Sequence, residues 1–361
     1  MFLLMIISKD SLLRQKINDI IGINTINMNV ADMLMEAFNY VDLFNEEEIK
    51  QYVKEGLNEN EAIIEILYGF YGLNHSEEND NVMDYYFLNN LKKLTTTDYL
   101  NNPYVKRIGG EGRFGKYNLK HLSYEPYQLF AYDDIKMDGY KENSQIGYFD
   151  KKFSYLALTQ GNNVWMSLNP NEIETMKPFI EKGKGHVLVL GLGMGYVPYM
   201  LSLKDDVKSI TIIEKDPEII SLFNKSIYPY FEHQEKIKII QNDAIDYLHK
   251  KQKEAGYDYI FADLWHDPDD GLPLFVKLKN INSKIDCWLG VSMYALLRRC
   301  MITLLEEQLG GYQEDAYKYA KTYTDKVINT YYQKTKNLHL NRDEDIDNLL
   351  KDDYLLSLLK D

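Results

Sequence analysis

Cysteine is scarce in this chain of 361 residues, where only Cys287 and Cys300 occur. Two cysteines are too few for a disulfide framework or for a zinc site built from cysteine. We therefore expect reduced thiols, a cytoplasmic protein and no metal site.

Long apolar runs are also lacking, since no segment approaches the roughly 18 apolar residues that a membrane-spanning helix needs. The apolar start of the chain, MFLLMIIS, is short, has no basic residue before it and has no small-residue cleavage site. It therefore does not resemble a secretion signal. We expect no membrane partner.

Positive charge is in deficit, because 41 basic residues stand against 55 acidic ones and the formal net charge is −14. Such a chain repels a phosphate backbone unless its basic residues are gathered on one face. No segregated basic block stands out in the sequence. The composition therefore argues against a nucleic-acid partner.

The patterning divides the chain into four regions. Apolar residues recur at helical spacing up to about residue 100, as at Ile17, Ile20 and Ile21. From Tyr117 to Leu168 the pattern changes to aromatic-rich alternation, which is typical of antiparallel strands, with a hairpin at Gly161 and Asn162. We predict a helical region over 1–110, a small β-rich region leading into a helix over 111–183, an α/β domain over 184–310 and a helical tail over 311–361.

The α/β prediction depends on short β-branched runs that alternate with helical patterns after residue 183. The runs read HVLVLG, SITIIE, IKIIQ, YDYIFAD and IDCWLGVSM. This alternation favours a Rossmann-like, doubly wound and mainly parallel sheet with helices on both faces.

A glycine-rich turn follows the first of these runs, in HVLVLGLGMGYVPY. The dinucleotide fingerprint G-x-G-x-x-G would need glycine at position 196, where Tyr196 stands, so NAD is the weaker interpretation. A phosphate-binding P-loop needs a lysine and a serine or threonine after its last glycine. Tyr196, Val197 and Pro198 exclude ATP binding by that route.

The order G-x-G-x-G resembles motif I of class I S-adenosylmethionine-dependent methyltransferases. Three later segments fit this resemblance: Glu214 ends the second run, QNDAIDYL follows the third, and Asp263 ends the fourth. The resemblance implies that S-adenosylmethionine is the cofactor. Its implied contacts are the turn residues Gly191, Leu192, Gly193 and Gly195, then Glu214 at the ribose with Lys215 beside it, and Asn242, Asp243 and Ala244 at the adenine.

Each of these features also has a purely structural interpretation. Glycine turns permit tight packing, Glu214 is compatible with an ordinary surface carboxylate, and Asp243 could cap the helix that follows it. The four features in the right order, each just after a predicted strand, make the combination specific.

Within that superfamily, a β-rich element just before the α/β domain is similar to spermidine-synthase-like proteins. Their aminopropyltransferases carry an Asp-Ser-Ser/Thr-Asp-Pro type of motif after the fourth strand, and its first aspartate deprotonates the attacking amine. Here the segment reads DLWHDPDDG, with an extra residue and the bulky pair Leu264 and Trp265. This departure favours methyl transfer over polyamine synthesis. The Asp/Asn-Pro-Pro-Tyr motif of enzymes that methylate nucleic-acid bases is missing as well.

We therefore predict a methyltransferase with a small-molecule or protein acceptor that the sequence does not identify. Asp263 is the first candidate for a catalytic base and His266 the second. Trp265 and Glu172 are candidate substrate contacts, with a core aromatic and an ordinary helix residue as their structural alternatives. A spermidine-synthase-like aminopropyltransferase and a non-catalytic adenosyl-ligand-binding protein stay open, and the helical tail is compatible with a homodimer.

Overall fold

The N-terminal part of the protein is mainly helical. The computed structural model describes residues 5–251, 256–310 and 321–360. In chain order the first elements are β1 (Ile6–Ile7), α1 (Ser11–Asn39), α2 (Glu46–Lys54), α3 (Glu59–Tyr71), α4 (Glu77–Val82), a π-helical turn (Met83–Phe87), β2 (Leu91–Lys93), α5 (Thr96–Leu100) and α6 (Pro103–Arg107). The region predicted as helical thus also contains two short strands, because each finds a parallel partner far away in the sequence.

The β-rich region forms two small sheets. Its strands are β3 (Gly112–Phe114), β4 (Tyr117–Tyr124), β5 (Phe130–Asp138), β6 (Lys141–Tyr148), β7 (Phe153–Gln160) and β8 (Asn163–Ser167). One sheet has the order β2-β6-β5 and the other the antiparallel order β3-β4-β7-β8. The predicted hairpin joins β7 to β8, with Gly161 at a φ of +61°.

The α/β region is a parallel sheet with helices, which confirms the predicted fold class. Its elements are α7 (Pro170–Lys182), β9 (Gly185–Leu190), α8 (Tyr196–Ser202), β10 (Val207–Glu214), α9 (Pro217–Ser226), β11 (Ile237–Gln241), α10 (Ala244–Lys251), β12 (Tyr259–Ala262), α11 (Pro268–Ile281) and β13 (Asp286–Cys287). The five strands are all parallel, in the order β11-β10-β9-β12-β13. The order reverses beside β9, where ligands of such sheets bind.

The fifth predicted strand, IDCWLGVSM, is wrong over most of its length. Only Asp286 and Cys287 are extended, and Leu289 takes a φ of +51°, which turns the chain. The long helix α12 (Gly290–Gly310) begins directly afterwards, and Asp134 accepts hydrogen bonds from the Val291 N–H and the Ser292 hydroxyl in its first turn. A tertiary contact therefore starts the helix where local β propensity favoured a strand.

The described part of the predicted tail is helical with one short strand. It contains α13 (Tyr323–Thr335), β14 (His339–Leu340), α14 (Asp343–Leu349) and α15 (Asp352–Ser357), and β14 pairs with β1 in parallel. Residues 1–4, 252–255, 311–320 and 361 of the predicted regions lie outside the described residues. The four domain boundaries stay a prediction.

Two hydrophobic cores hold these elements together. The main core surrounds the parallel sheet and includes buried residues of the tail such as Tyr331. The N-terminal core is built from the C-terminal half of α1, from α3, from the π-helical turn and from the small sheet of β2 and β6. Helix α1 belongs to both, with Ile17 in the main core and Leu34 in the N-terminal core. None of the described helices has the length and apolar character to cross a membrane.

Candidate functional site

A cavity of about 530 Å³ opens at the carboxyl edge of the parallel sheet. That volume lies in the range of about 300–1,000 Å³ that is usual for small-molecule sites. A residue at or just after the carboxyl end of each strand lines this cavity. In chain order these residues are Gly191, Glu214, Asn242, Asp263 and Trp288.

Most residues that the sequence singled out line this cavity. They are Glu172, Gly191, Gly193, Glu214, Lys215, Asn242, Asp243, Ala244, Asp263, Trp265 and His266. Leu192 and Gly195 do not line it. The side chain of Leu192 is buried in the main core, and its backbone N–H donates a 3.1 Å hydrogen bond to Glu214. The individual roles of all these residues stay predictions.

The three glycines of the turn all have positive φ but serve different purposes. A Cβ on Gly195 would lie 2.3 Å from the ring of Phe223, and one on Gly191 would lie 1.9 Å from the carbonyl oxygen of Asp263. These two glycines permit close packing of the protein with itself. At Gly193 the nearest atom to a Cβ would be the sulfur of Met166 at 3.8 Å, so this residue alone leaves room for a ligand.

Glu214, the last residue of β10, is held by the backbone. Its two carboxylate oxygens accept hydrogen bonds from the N–H groups of Leu192 at 3.1 Å and of Asp216 at 2.7 Å. Each oxygen keeps a further lone pair for a ligand. A fixed acceptor of this kind fits the two hydroxyls of a ribose.

Asp243 has the structural role that its sequence position also suggested. One of its carboxylate oxygens caps α10 by accepting from the N–H groups of Ile245 and Asp246 at 2.9 and 3.1 Å. Ala244 is buried beside it. Asp243 also lines the cavity, which is compatible with the predicted adenine contact.

Asp263 and Glu172 have strongly perturbed acidity. Burial and the negative charge of Glu214 raise the pKa of Asp263 to about 7. Burial and the charge of Asp263 raise the pKa of Glu172 well above its ordinary value. Glu172 is held in the first turn of α7, where Asn169 caps the helix by accepting from its N–H at 3.0 Å.

The cavity lining carries more acidic than basic side chains. Across the described ranges Asp216 pairs with Lys116 at 3.5 Å, whereas Glu172, Glu214 and Asp263 form no ion pair, and the only basic side chains lining the cavity are Lys215 and His266. Uncompensated carboxylates in a partly buried site are costly unless they are protonated or meet a cation. This arrangement favours a positively charged ligand.

Two aromatic side chains from different regions meet in the lining of the cavity. The ring of His266 lies edge-on against Trp165 of β8, with 4.2 Å between ring centroids. His266 is exposed, and its backbone N–H donates to Asp270 at 3.1 Å. Trp265 is buried, and its indole lies so close to Gly271 that a Cβ there would be 2.4 Å from the ring.

Several lining residues were not singled out by sequence reasoning, among them Tyr117, Trp165, Tyr196 and Trp288. Trp288 follows the fifth strand, and the rule that ligands bind beyond strand ends would have found it if that strand had been predicted at its true length. Tyr117 and Trp165 come from the β-rich region, and no local signal places them beside the sheet. Among the described residues no cluster of acidic, histidine and cysteine side chains suited to a metal is found.

Comparison with known protein families gives a match over the part of the chain that forms most of the parallel sheet. Residues 171–276 match the model of the Spermine/spermidine synthase domain. This range is under a third of the chain and runs from the start of α7 into α11. It confirms the predicted resemblance to spermidine-synthase-like proteins. No curated protein matches the chain.

Solved structures give distant likenesses. Spermidine synthase from Thermotoga maritima is 12% identical with a TM-score of 0.28, over 41% of this chain and 59% of that one. Human methyltransferase-like protein 13, solved in complex with SAH, is 22% identical with a TM-score of 0.24, over 31% of this chain and 54% of that one. The chain spans about half the length of the solved structures it matches.

Proposed function

We propose that this protein is an adenosyl-sulfonium-dependent transferase that moves a methyl group from S-adenosylmethionine to an amine. The observation that carries the proposal is the convergence of Glu172, Glu214 and Asp263 in one cavity without an ion pair among the described residues. A sulfonium and an ammonium group are the cations that such a site would attract.

The residues present fit an adenosyl cofactor. Gly193 offers open backbone, and Glu214 offers fixed lone pairs at the end of β10. When bound, the cofactor would supply an electrophilic carbon on a positively charged sulfur. The protein would contribute alignment of the acceptor with that carbon, which is worth much of the rate in such a displacement.

Asp263 is the proposed base. An ammonium acceptor must lose a proton before its nitrogen can attack, and a base works best when its pKa lies near the working pH. Burial and the charge of Glu214 raise the pKa of Asp263 to about 7, so its carboxylate can accept that proton at neutral pH.

Aminopropyl transfer is a second candidate. S-Adenosylmethionine carries a carboxylate, and the cavity lining opposes it with many acidic groups but only Lys215 and His266 as basic ones. Decarboxylated S-adenosylmethionine lacks that repelled group. The match to the Spermine/spermidine synthase domain supports this alternative as well.

Calorimetric titration tests the proposal with S-adenosylmethionine, its decarboxylated form, S-adenosylhomocysteine and NAD. We expect binding of the adenosyl-sulfonium ligands and its loss in Glu214→Ala. Preference for the decarboxylated form would promote aminopropyl transfer. Binding of NAD alone, or of nothing, would overturn the proposal.

Turnover with a panel of amines then tests the chemistry. We expect the rate to rise as the pH passes through about 7 and to fall roughly 100-fold or more in Asp263→Asn. Asp246→Asn is the control, because Asp246 is exposed on α10 outside the cavity. Ligand binding without product release from any amine would instead indicate a non-catalytic binding protein.

A further inference from the structure

All tryptophans of the chain lie around this one cavity. The sequence contains three, and Trp165, Trp265 and Trp288 each line it. They come from three different elements, namely β8, the loop after β12 and the end of β13. Tryptophan is a large residue that supplies both apolar area and a ring face that attracts cations.

Two of these rings are held rigidly. The Trp288 indole N–H donates to the hydroxyl of Thr175 at 2.9 Å, and its backbone N–H donates to the Ala262 carbonyl at 2.9 Å. Trp265 is packed over Gly271, where no side chain fits. Rings that are already fixed lose little entropy when a ligand binds between them.

Trp265 and Trp288 lie on the side of the cavity away from the predicted cofactor contacts, and Trp165 reaches the loop after β12 through its ring contact with His266. Gly193 and Glu214 follow β9 and β10, whereas Trp265 and Trp288 follow β12 and β13, on the opposite side of the sheet from β10. Apolar side chains also line the cavity, namely Leu168, Leu264 and Leu274. We call the part of the wall formed by the tryptophans and these leucines, together with Glu172 and Asp263, the acceptor half of the cavity.

Two partly buried carboxylates, those of Glu172 and Asp263, lie in the acceptor half. The charge of Asp263 acts on Glu172, so one ammonium group can meet both of them. Asp270 also lines the cavity, but it is exposed to solvent, and one of its carboxylate oxygens accepts from the N–H groups of His266 and Asp267 at 3.1 and 3.2 Å. In this half of the cavity the second ammonium group of a linear diamine would meet a solvent-exposed carboxylate, where an ion pair contributes little.

We infer that the acceptor half binds a monoamine with an aromatic or other bulky apolar body, with the amine at Glu172 and Asp263 and the body among the tryptophans. This inference rests on the proposed function, because it names the acceptor class of that site. Such an acceptor differs from the linear diamine that a synthase of linear polyamines would use.

The test follows tryptophan fluorescence, since every tryptophan reports from this cavity. S-Adenosylhomocysteine is titrated first, and a lack of response confirmed by calorimetry would count against the proposed function alone. Phenethylamine, phenethyl alcohol and putrescine are then titrated with and without S-adenosylhomocysteine. We expect phenethylamine to bind about tenfold more tightly than either of the others. Equal or tighter binding of putrescine, or equal binding of the alcohol, would overturn the inference.

A pair of variants locates the effect. Trp288→Leu should weaken phenethylamine binding roughly tenfold and leave the affinity for S-adenosylhomocysteine unchanged, which also shows that the variant is folded. Tyr230→Ala removes an exposed aromatic ring outside the cavity and should change neither affinity. Unchanged phenethylamine binding in a folded Trp288→Leu would contradict the inference. If Trp288→Leu does not fold, the ranking of the three ligands on the unmodified chain decides.

Discussion

Gly191 and Gly193 stand two residues apart in the same turn but differ in what a side chain would meet. Alanine at position 191 would place its Cβ 1.9 Å from the Asp263 carbonyl, which belongs to the backbone and cannot rotate away. We expect Gly191→Ala to lower the free energy of unfolding by more than about 3 kcal/mol. Denaturant unfolding measures this change.

Gly193→Ala is the matched comparison. Its φ of +55° costs alanine about 1–2 kcal/mol, and nothing lies closer than 3.8 Å to the added carbon. We expect a small loss of stability but weaker binding of S-adenosylhomocysteine, because the methyl group enters the cavity. Equal losses of stability in the two variants would show that packing does not distinguish these glycines.

Asp263 should make the ligand-free protein less stable as the pH rises. Its pKa of about 7 lies above the value near 4 in an unfolded chain, so the folded state holds the proton more tightly. Its contribution to stability is therefore present below about pH 4 and is lost as the pH rises through about 7.

Melting temperatures of the unmodified protein and of Asp263→Asn measure this effect. Relative to the unmodified protein, the melting temperature of Asp263→Asn should increase as the pH rises from about 5 to about 8. A cationic ligand should reduce that shift by stabilising the carboxylate. A difference that does not depend on pH would show that Asp263 ionises normally in the folded state.

At the scale of elements, the short helix α6 supports the glycine turn from outside the α/β region. The Tyr104 hydroxyl donates to the carbonyl of Met194, and Asn102 donates to the Tyr196 hydroxyl at 2.9 Å. Tyr104→Phe would leave the Met194 carbonyl unpaired, so we expect a loss of about 1–3 kcal/mol in stability and weaker binding of S-adenosylhomocysteine.

Tyr331→Phe provides the control for this substitution. Tyr331 is as deeply buried as Tyr104, but its hydroxyl has no hydrogen-bond partner among the described residues. Its removal should be neutral or stabilising in the same unfolding experiment. If both variants lose the same stability, the bond from Tyr104 to the turn contributes nothing specific.

Prediction from sequence succeeded for elements with strong local signals. Helix α7 follows the β-rich region as predicted, and the β7–β8 hairpin turns at Gly161. It failed where a distant partner decides the local structure. Strand β2 exists because β6 pairs with it, and α12 begins early because Asp134 binds its first turn.

At the scale of the whole molecule, the presence of two hydrophobic cores predicts that a substitution in one of them can lower stability without weakening ligand binding. Leu67 is buried in the N-terminal core, which contains none of the residues that line the cavity. We expect Leu67→Ala to cost about 2–5 kcal/mol in stability without changing the affinity for S-adenosylhomocysteine.

Leu188→Ala is the comparison in the main core. Leu188 is equally buried and lies in β9, directly before the glycine turn. We expect a similar loss of stability together with weaker ligand binding, measured by unfolding and by calorimetry. Weakened binding in Leu67→Ala would show instead that the N-terminal core shapes the cavity.

The sequence by itself determined the parallel sheet, the glycine turn and the acidic residues at the ends of successive strands. These features are readable because local periodicity and turn chemistry specify them, and because parallel strands bring their carboxyl ends to one edge. Only the tertiary structure decided that Tyr117 and Trp165 join the same cavity. It also decided that Gly191 and Gly195 serve packing and that Glu172 lines the same cavity as Asp263. Such contacts depend on how distant elements pack, and a local pattern does not encode that packing.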